Sequence, residues 1–235
     1  MITAGRDRLM NEKKSKIEVN HVIKKFKKKT VLQDVSLNCT GGKIYGIVGH
    51  NGSGKTVLFK CICGFYHCEQ GEILVNGKRM GKEMNMLENA GIIIEEPGFL
   101  SKWDGYHNLE FLYTIRNKSN KKYLWSILER IGLDPHSKMP VAKYSLGMRQ
   151  RLAIGQAIME DPDILILDEP MNGLDRNGVE EMRKIFEEMR DAGKLIILAS
   201  HNKEDIEILC DEVYEMENGI LTTIKAAIIE KGGIR

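Results

Sequence analysis

Apolar positions change their spacing several times along the chain, and each change marks an element. Apolar and polar residues alternate from Ile17 to Phe26 and again from Val31 to Cys39, the period of half-buried strands. The basic stretch KKFKKKT between them predicts a turn. Lys43–Val48 predicts a third strand running into a glycine-rich loop, and Val57–Cys63 a helix that Gly64 ends. Glu72–Val75 predicts a strand closed by a tight Asn-Gly turn. Gly91–Ile94, Ile164–Leu167 and Leu195–Ser200 are short and mostly apolar, the signature of strands buried on both faces. Between Trp103 and Ile131 the spacing is helical, through Leu109, Leu112, Tyr113 and Arg116 and then Tyr123, Leu124, Ile127, Leu128 and Ile131. Helices are also predicted over Leu146–Met159, Asn177–Arg190 and Lys203–Leu209. A last strand, Glu212–Met216, precedes a second Asn-Gly turn.

Strands alternating with helices predict an α/β fold with a mostly parallel sheet. The first strands predict an N-terminal antiparallel β subdomain. The stretch from about residue 97 to 144 lacks strand signal and predicts an inserted α-helical subdomain. The chain has 235 residues, enough for one large domain, expected over 17–235. Residues 1–16 are expected to be an N-terminal extension. Met10 is a second candidate start, so residues 1–9 are expected to be an artefact of start-site choice or expression.

Composition narrows the picture. Apolar residues are 42% and charged residues 29%, the balance of a soluble globular protein. The net charge of +2 gives no global electrostatic case for nucleic acid. The Lys24–Lys29 run reads as a solvated hairpin. Five cysteines, an odd count without paired spacing, point to reduced thiols and a cytosolic setting. Cys61, Cys63, His67 and Cys68 cluster without a usual zinc spacing, and read as small buried groups. No apolar run approaches the ~20 residues that span a bilayer, and the N-terminus has no apolar leader core.

Three stretches carry chemistry. GIVGHNGSGKT fits G-x-x-x-x-G-K-[ST] from Gly49 to Thr56, placed between a predicted strand and helix. Backbone N–H groups of such a loop curl around phosphate oxygens, and the helix N-terminus favours an anion. The expected cradle is Gly49, His50, Asn51, Gly52, Ser53, Gly54, Lys55, Thr56 and Val57. In it Lys55 reaches the terminal phosphates and Thr56 binds Mg²⁺. This predicts a P-loop nucleoside-triphosphatase core. DILILDEP (Asp163–Pro170) ends a buried strand in two carboxylates. Asp168 is expected to hold the Mg²⁺ shell, and Glu169, on the other side of the strand, to orient or polarise an attacking water. KYSLGMRQRLAI (Lys143–Ile154) places Ser and Gly before a helix, a second phosphate-binding start.

Together these residues resemble the ATP-binding subunit of an ATP-binding-cassette (ABC) transporter, with the motifs in family order from about Phe26 to His201. The resemblance implies that SLGMRQR is the signature, which grips the γ-phosphate of ATP held by a second subunit. Two ATP then lie in a head-to-tail homodimer, with Ser145 giving a hydroxyl and Gly147 a backbone N–H. Leu146 and Met148 depart from the family's S-G-G-Q. NGLD (Asn172–Asp175) implies a D-loop at the dimer seam, His201 a γ-phosphate contact, and Phe26 an aromatic stack on adenine. Glu95 stands where the family has a Gln that contacts Mg²⁺ and water, and is expected to slow hydrolysis or shift its metal dependence. IEEPGF with YSLGMRQRL resembles the bacterial bacitracin- and lantibiotic-exporter branch. The implied function is an ATPase that drives a separate transmembrane permease from the inner face of the cell membrane. Two alternatives are a remodelling ATPase on ribosomes or nucleic acid, and a low-turnover regulatory module.

Overall fold

The computed structural model describes residues 14–95, 98–201 and 203–224, with the side chains of 203–205 left aside. The expectations for residues 1–13 and the boundary at Pro97 lie outside these residues.

Two sheets form the frame. The smaller is antiparallel, order β2-β1-β4-β5, from β1 (Lys16–Phe26), β2 (Lys29–Thr40), β4 (Gln70–Val75) and β5 (Lys78–Arg79). The basic hairpin is tighter than the sequence suggests. Phe26 pairs with Lys29, so the strands run into the lysines and leave only Lys27 and Lys28 in the turn. The larger sheet has the order β10-β9-β3-β8-β7-β6. It contains β3 (Lys43–Val48), β6 (Ala90–Ile93), β7 (Ile164–Asp168), β8 (Leu195–Ala199) and β9 (Glu212–Glu217), all parallel, and an antiparallel edge, β10 (Ile220–Ile224).

Alternation along the parallel strands separates two cores. Tyr45 and Ile47, Ile164 and Ile166, and Leu195 and Ile197 face the small sheet and α1 (Lys55–Ile62). Ile44, Leu165, Leu167, Ile196 and Leu198 face the other way. There they meet α4 (Leu146–Ile158), α5 (Arg176–Asp191) and the helical insertion, α2 (Gly105–Tyr113) and α3 (Lys121–Arg130). A short α6 (Lys203–Leu209) joins β8 to β9. The interior strands β3, β7 and β8 are buried on both faces, which is why they read as mostly apolar runs.

The insertion lies between β6 and α4, and its helices are separately capped. Asp104 accepts from the His107 N–H, and Asn120 from the Tyr123 N–H. These Asx caps satisfy otherwise orphaned first-turn donors and set where each helix begins. The strand β10 is not visible in the sequence because ILTTI has neither alternation nor burial; it is a mostly exposed edge.

Candidate functional site

Adjacent parallel strands end on one rim. Ala199 pairs with both Ile47 and Asp168, and Ile93 with Leu167, so β3, β8, β7 and β6 finish nearly level. The loops after them carry the expected phosphate loop, His201, Glu169 and Glu95. A cavity of about 540 Å³ opens there, of the size that holds small ligands. Asn51, Gly52, Gly54, Lys55, Thr56, Val57, Glu95, Asp168 and Glu169 line it.

The loop from Gly49 to Gly54 enters α1 without a side-chain cap, through Gly54 at φ 119°. A residue with a Cβ would be strained there. The first-turn N–H groups therefore lack a side-chain partner and are available to an anion. Lys55 Nζ donates to the Gly49 and His50 carbonyls at 2.6 and 3.2 Å, which holds the ammonium along the loop. Ser53 Oγ is buried and has no hydrogen-bond partner among the described residues.

Asp168 and Glu169 divide sharply. Thr56 Oγ1 donates to Asp168 Oδ2 at 2.6 Å, and burial pushes the Asp168 carboxyl above its usual range. Glu169 has left-handed backbone, φ 50°, a conformation costing about 1–3 kcal/mol outside glycine. Its N–H donates to the Ala199 carbonyl at 2.9 Å, and Oε2 lies 2.8 Å from His201 Nδ1. The His201 N–H reaches the same oxygen at 3.4 Å. The turn thus swings Glu169 away from Asp168's direction and onto the end of the neighbouring strand. Glu95 repeats the device at the end of β6, with φ 61°. Its Oε1 accepts from Lys60 Nζ at 2.6 Å, which holds the Lys60 ammonium above its ordinary pKa.

The donor set fits Mg²⁺. A hydroxyl and a half-buried carboxylate converge at Thr56 and Asp168, with Glu95 on the same cavity, and hard cations take oxygen ligands. A cation would also offset the desolvation of Asp168.

Not every expected residue lines this cavity. Ser145 caps α4, accepting from the Met148 N–H at 3.1 Å. Gly147 lies against the Gly173 carbonyl, where a Cβ would come within 2.8 Å. Asp175 caps α5 through the Gly178 N–H at 3.0 Å. Phe26, 39% exposed, stands edge-on to Tyr66 at 5.2 Å, with Lys24 Nζ 5.0 Å from its ring. Ser145, Gly147, Asp175, Phe26 and His201, and Gly49, His50 and Ser53 of the expected cradle, are outside the lining. Residues to which the sequence reading gave no role of their own do line it, Val31, Phe99, Arg149 and Gln150, together with Leu146 of the signature and Asn172 of the expected D-loop. Gln150 Nε2 donates to the Pro170 carbonyl at 2.9 Å, tying α4 to the turn after β7. Its place one turn into the signature helix was the available signal.

A phosphate loop closing a parallel α/β sheet, with a hydroxyl–carboxylate pair beside it, defines a P-loop nucleotide-binding protein. The chain belongs to the ABC transporter family, whose model matches residues 32–172. It is similar to the uncharacterized ABC transporter ATP-binding protein YybJ of Bacillus subtilis (strain 168), 40% identical over 92% of this chain and 99% of the relative. It is 37% identical to the bacitracin transport ATP-binding protein BcrA of Enterococcus faecalis, over 87% of this chain and 67% of that protein. A solved ATP-binding subunit of an ABC transporter superposes with TM-score 0.78 at 26% identity, covering 88% of this chain and 90% of the other. The chain is accordingly an ATP-binding protein of this family, and its reaction is ATP hydrolysis. Among the described residues no helix is long and apolar enough to cross a membrane.

Proposed function

We propose that two copies of this chain close head to tail around two ATP molecules at the inner face of the cell membrane. They drive a separate permease that exports a peptide antibiotic or similar compound. The convergence of Lys55, the Thr56–Asp168 pair and the Glu169–His201 pair on one cavity rim carries this reading. Similarity to a bacitracin transport protein supports the cargo class.

In this reading the loop from Gly49 to Val57 cradles the triphosphate, and Lys55 turns from the loop carbonyls to the terminal phosphates. Thr56, Asp168 and Glu95 hold Mg²⁺, which when bound neutralises charge on the phosphate oxygens. Glu169 accepts a hydrogen bond from the attacking water and aims it. His201 holds the Glu169 carboxylate in place through Nδ1 and leaves its other ring nitrogen for the γ-phosphate. Positioning of this kind supplies most of what phosphoryl transfer needs. Phe26 stacks on adenine. Ser145 and Gly147, outside this chain's own cavity, face the second copy's nucleotide, and Asp175 lies at the seam. Nucleic acid has no role.

Glu169→Gln tests the reading. With ATP and Mg²⁺ the variant should release no phosphate and run as a dimer in light scattering, and without nucleotide as a monomer. Tagged and recovered from detergent-solubilised native membranes, it should carry one polytopic membrane protein. A chain that stays monomeric at saturating ATP, or that recovers ribosomal proteins alone, refutes it.

A further inference from the structure

Glu95 is an acid that lines a cavity read here as a triphosphate site. Among the described residues the charged groups lining that cavity are Lys55, Arg149, Glu95, Asp168 and Glu169. Three carboxylates face two cations before any phosphate enters. A like charge a few ångströms from a triphosphate is repulsive even at high effective dielectric. The nearest relief comes from a residue outside the lining. Lys60 follows Thr56 by four positions on α1, so the two share a helix face. Thr56 holds Asp168, and one turn later Lys60 holds Glu95, each contact 2.6 Å long. The Lys60 side chain is only 17% exposed whereas that of Glu95 is 65% exposed. Lys60 is itself fixed, its Nζ lying 5.5 Å from the Tyr66 ring, which packs edge-on to Phe26. A packed cation thus anchors a freer acid.

We infer that Lys60 is a positioning residue for the nucleotide site: it cancels the Glu95 charge and fixes the direction of that carboxylate, so that an acid is tolerated beside the triphosphate. This deepens the ATP-site reading and rests on it. The consequence is conditional dependence, because Lys60 should matter only while residue 95 is acidic.

The test is a double-mutant cycle read by binding, not turnover. Affinity for a fluorescent ATP analogue is measured in EDTA, so that no metal contributes, for the full chain and for K60Q, K60R, E95Q and K60Q/E95Q. With Glu95 present, K60Q should weaken binding about tenfold, within the range of coupled contacting charges. In the E95Q background the same change should cost less than about twofold. K60R, which keeps the charge, should bind within about threefold of the unaltered chain. Thermal unfolding of each variant separates a folding defect from a charge defect. An equal loss from K60Q in both backgrounds overturns the inference while leaving the ATP site standing. If the unaltered chain binds no analogue, the site reading itself fails, and this inference falls with it.

Discussion

Ser145 shows how one side chain can hold a structural and a chemical role that need separate tests. Its Oγ accepts from the Met148 N–H and caps α4, and the same oxygen is proposed to meet a γ-phosphate across the dimer. Ser145→Ala removes both and should cost about 1 kcal/mol of stability. Ser145→Asp keeps a good cap, so urea denaturation should return to near the original midpoint. The added negative charge would repel phosphate, and steady-state ATP turnover should stay abolished. Restored turnover in Ser145→Asp would leave Ser145 a cap alone. At this scale the sequence was readable where chemistry is local. The spacing of Gly49, Gly54, Lys55 and Thr56 lies within one loop, and the acids of DILILDEP sit next to one another. It was unreadable where chemistry depends on register. Glu169 meets His201 only because Asp168 pairs with Ala199 and the backbone of Glu169 turns left-handed. Lys60 and Glu95, 35 residues apart, are likewise brought together only by the fold, which sets α1 within hydrogen-bond reach of the loop after β6.

Elements that read as punctuation turn out to brace the site. The Asn218–Gly219 turn was visible as a hairpin signal, but not what it touches. The Gly219 N–H donates to the Ser53 carbonyl at 2.9 Å, and the Gly219 carbonyl accepts from the Gln33 N–H at 2.7 Å. The turn between β9 and β10 therefore pins the phosphate loop to β2. Gly219 has φ 82°, and a Cβ would run into the Val31 carbonyl. Gly219→Ala combines left-handed strain with that clash and should cost about 2 kcal/mol or more. It should also weaken binding of a fluorescent ATP analogue several-fold, although residue 219 does not line the cavity. Unchanged affinity in a folded variant would show that the brace serves stability alone. Strand β10 escaped notice because edge strands need no apolar face. The buried strands of the parallel sheet were plain for the opposite reason.

At the scale of the whole molecule, the parallel sheet is a wall between two cores, and Lys55, Thr56, Asp168 and Glu169 gather in the cavity at its rim. The loop, α1, β7 and β8 are each anchored in the interior, so a ligand that engages the rim should stabilise the entire chain. A ligand bound to the folded state at a hundred times its Kd adds about 2.7 kcal/mol. In a chain of this size that raises the unfolding midpoint by roughly 5–11 °C. ATP in EDTA should therefore shift the midpoint upward with concentration, and Mg²⁺ should add a further increment. Thr56→Val separates the two contributions. It loses the hydroxyl bonded to Asp168 but keeps the backbone and Lys55 that are proposed to hold phosphate. Its starting midpoint should fall, its shift with ATP in EDTA should survive, and the Mg²⁺ increment should vanish. Differential scanning calorimetry at several nucleotide concentrations reads all three. A Mg²⁺ increment that persists in Thr56→Val would move the metal away from the Thr56–Asp168 pair and onto other oxygens of the rim.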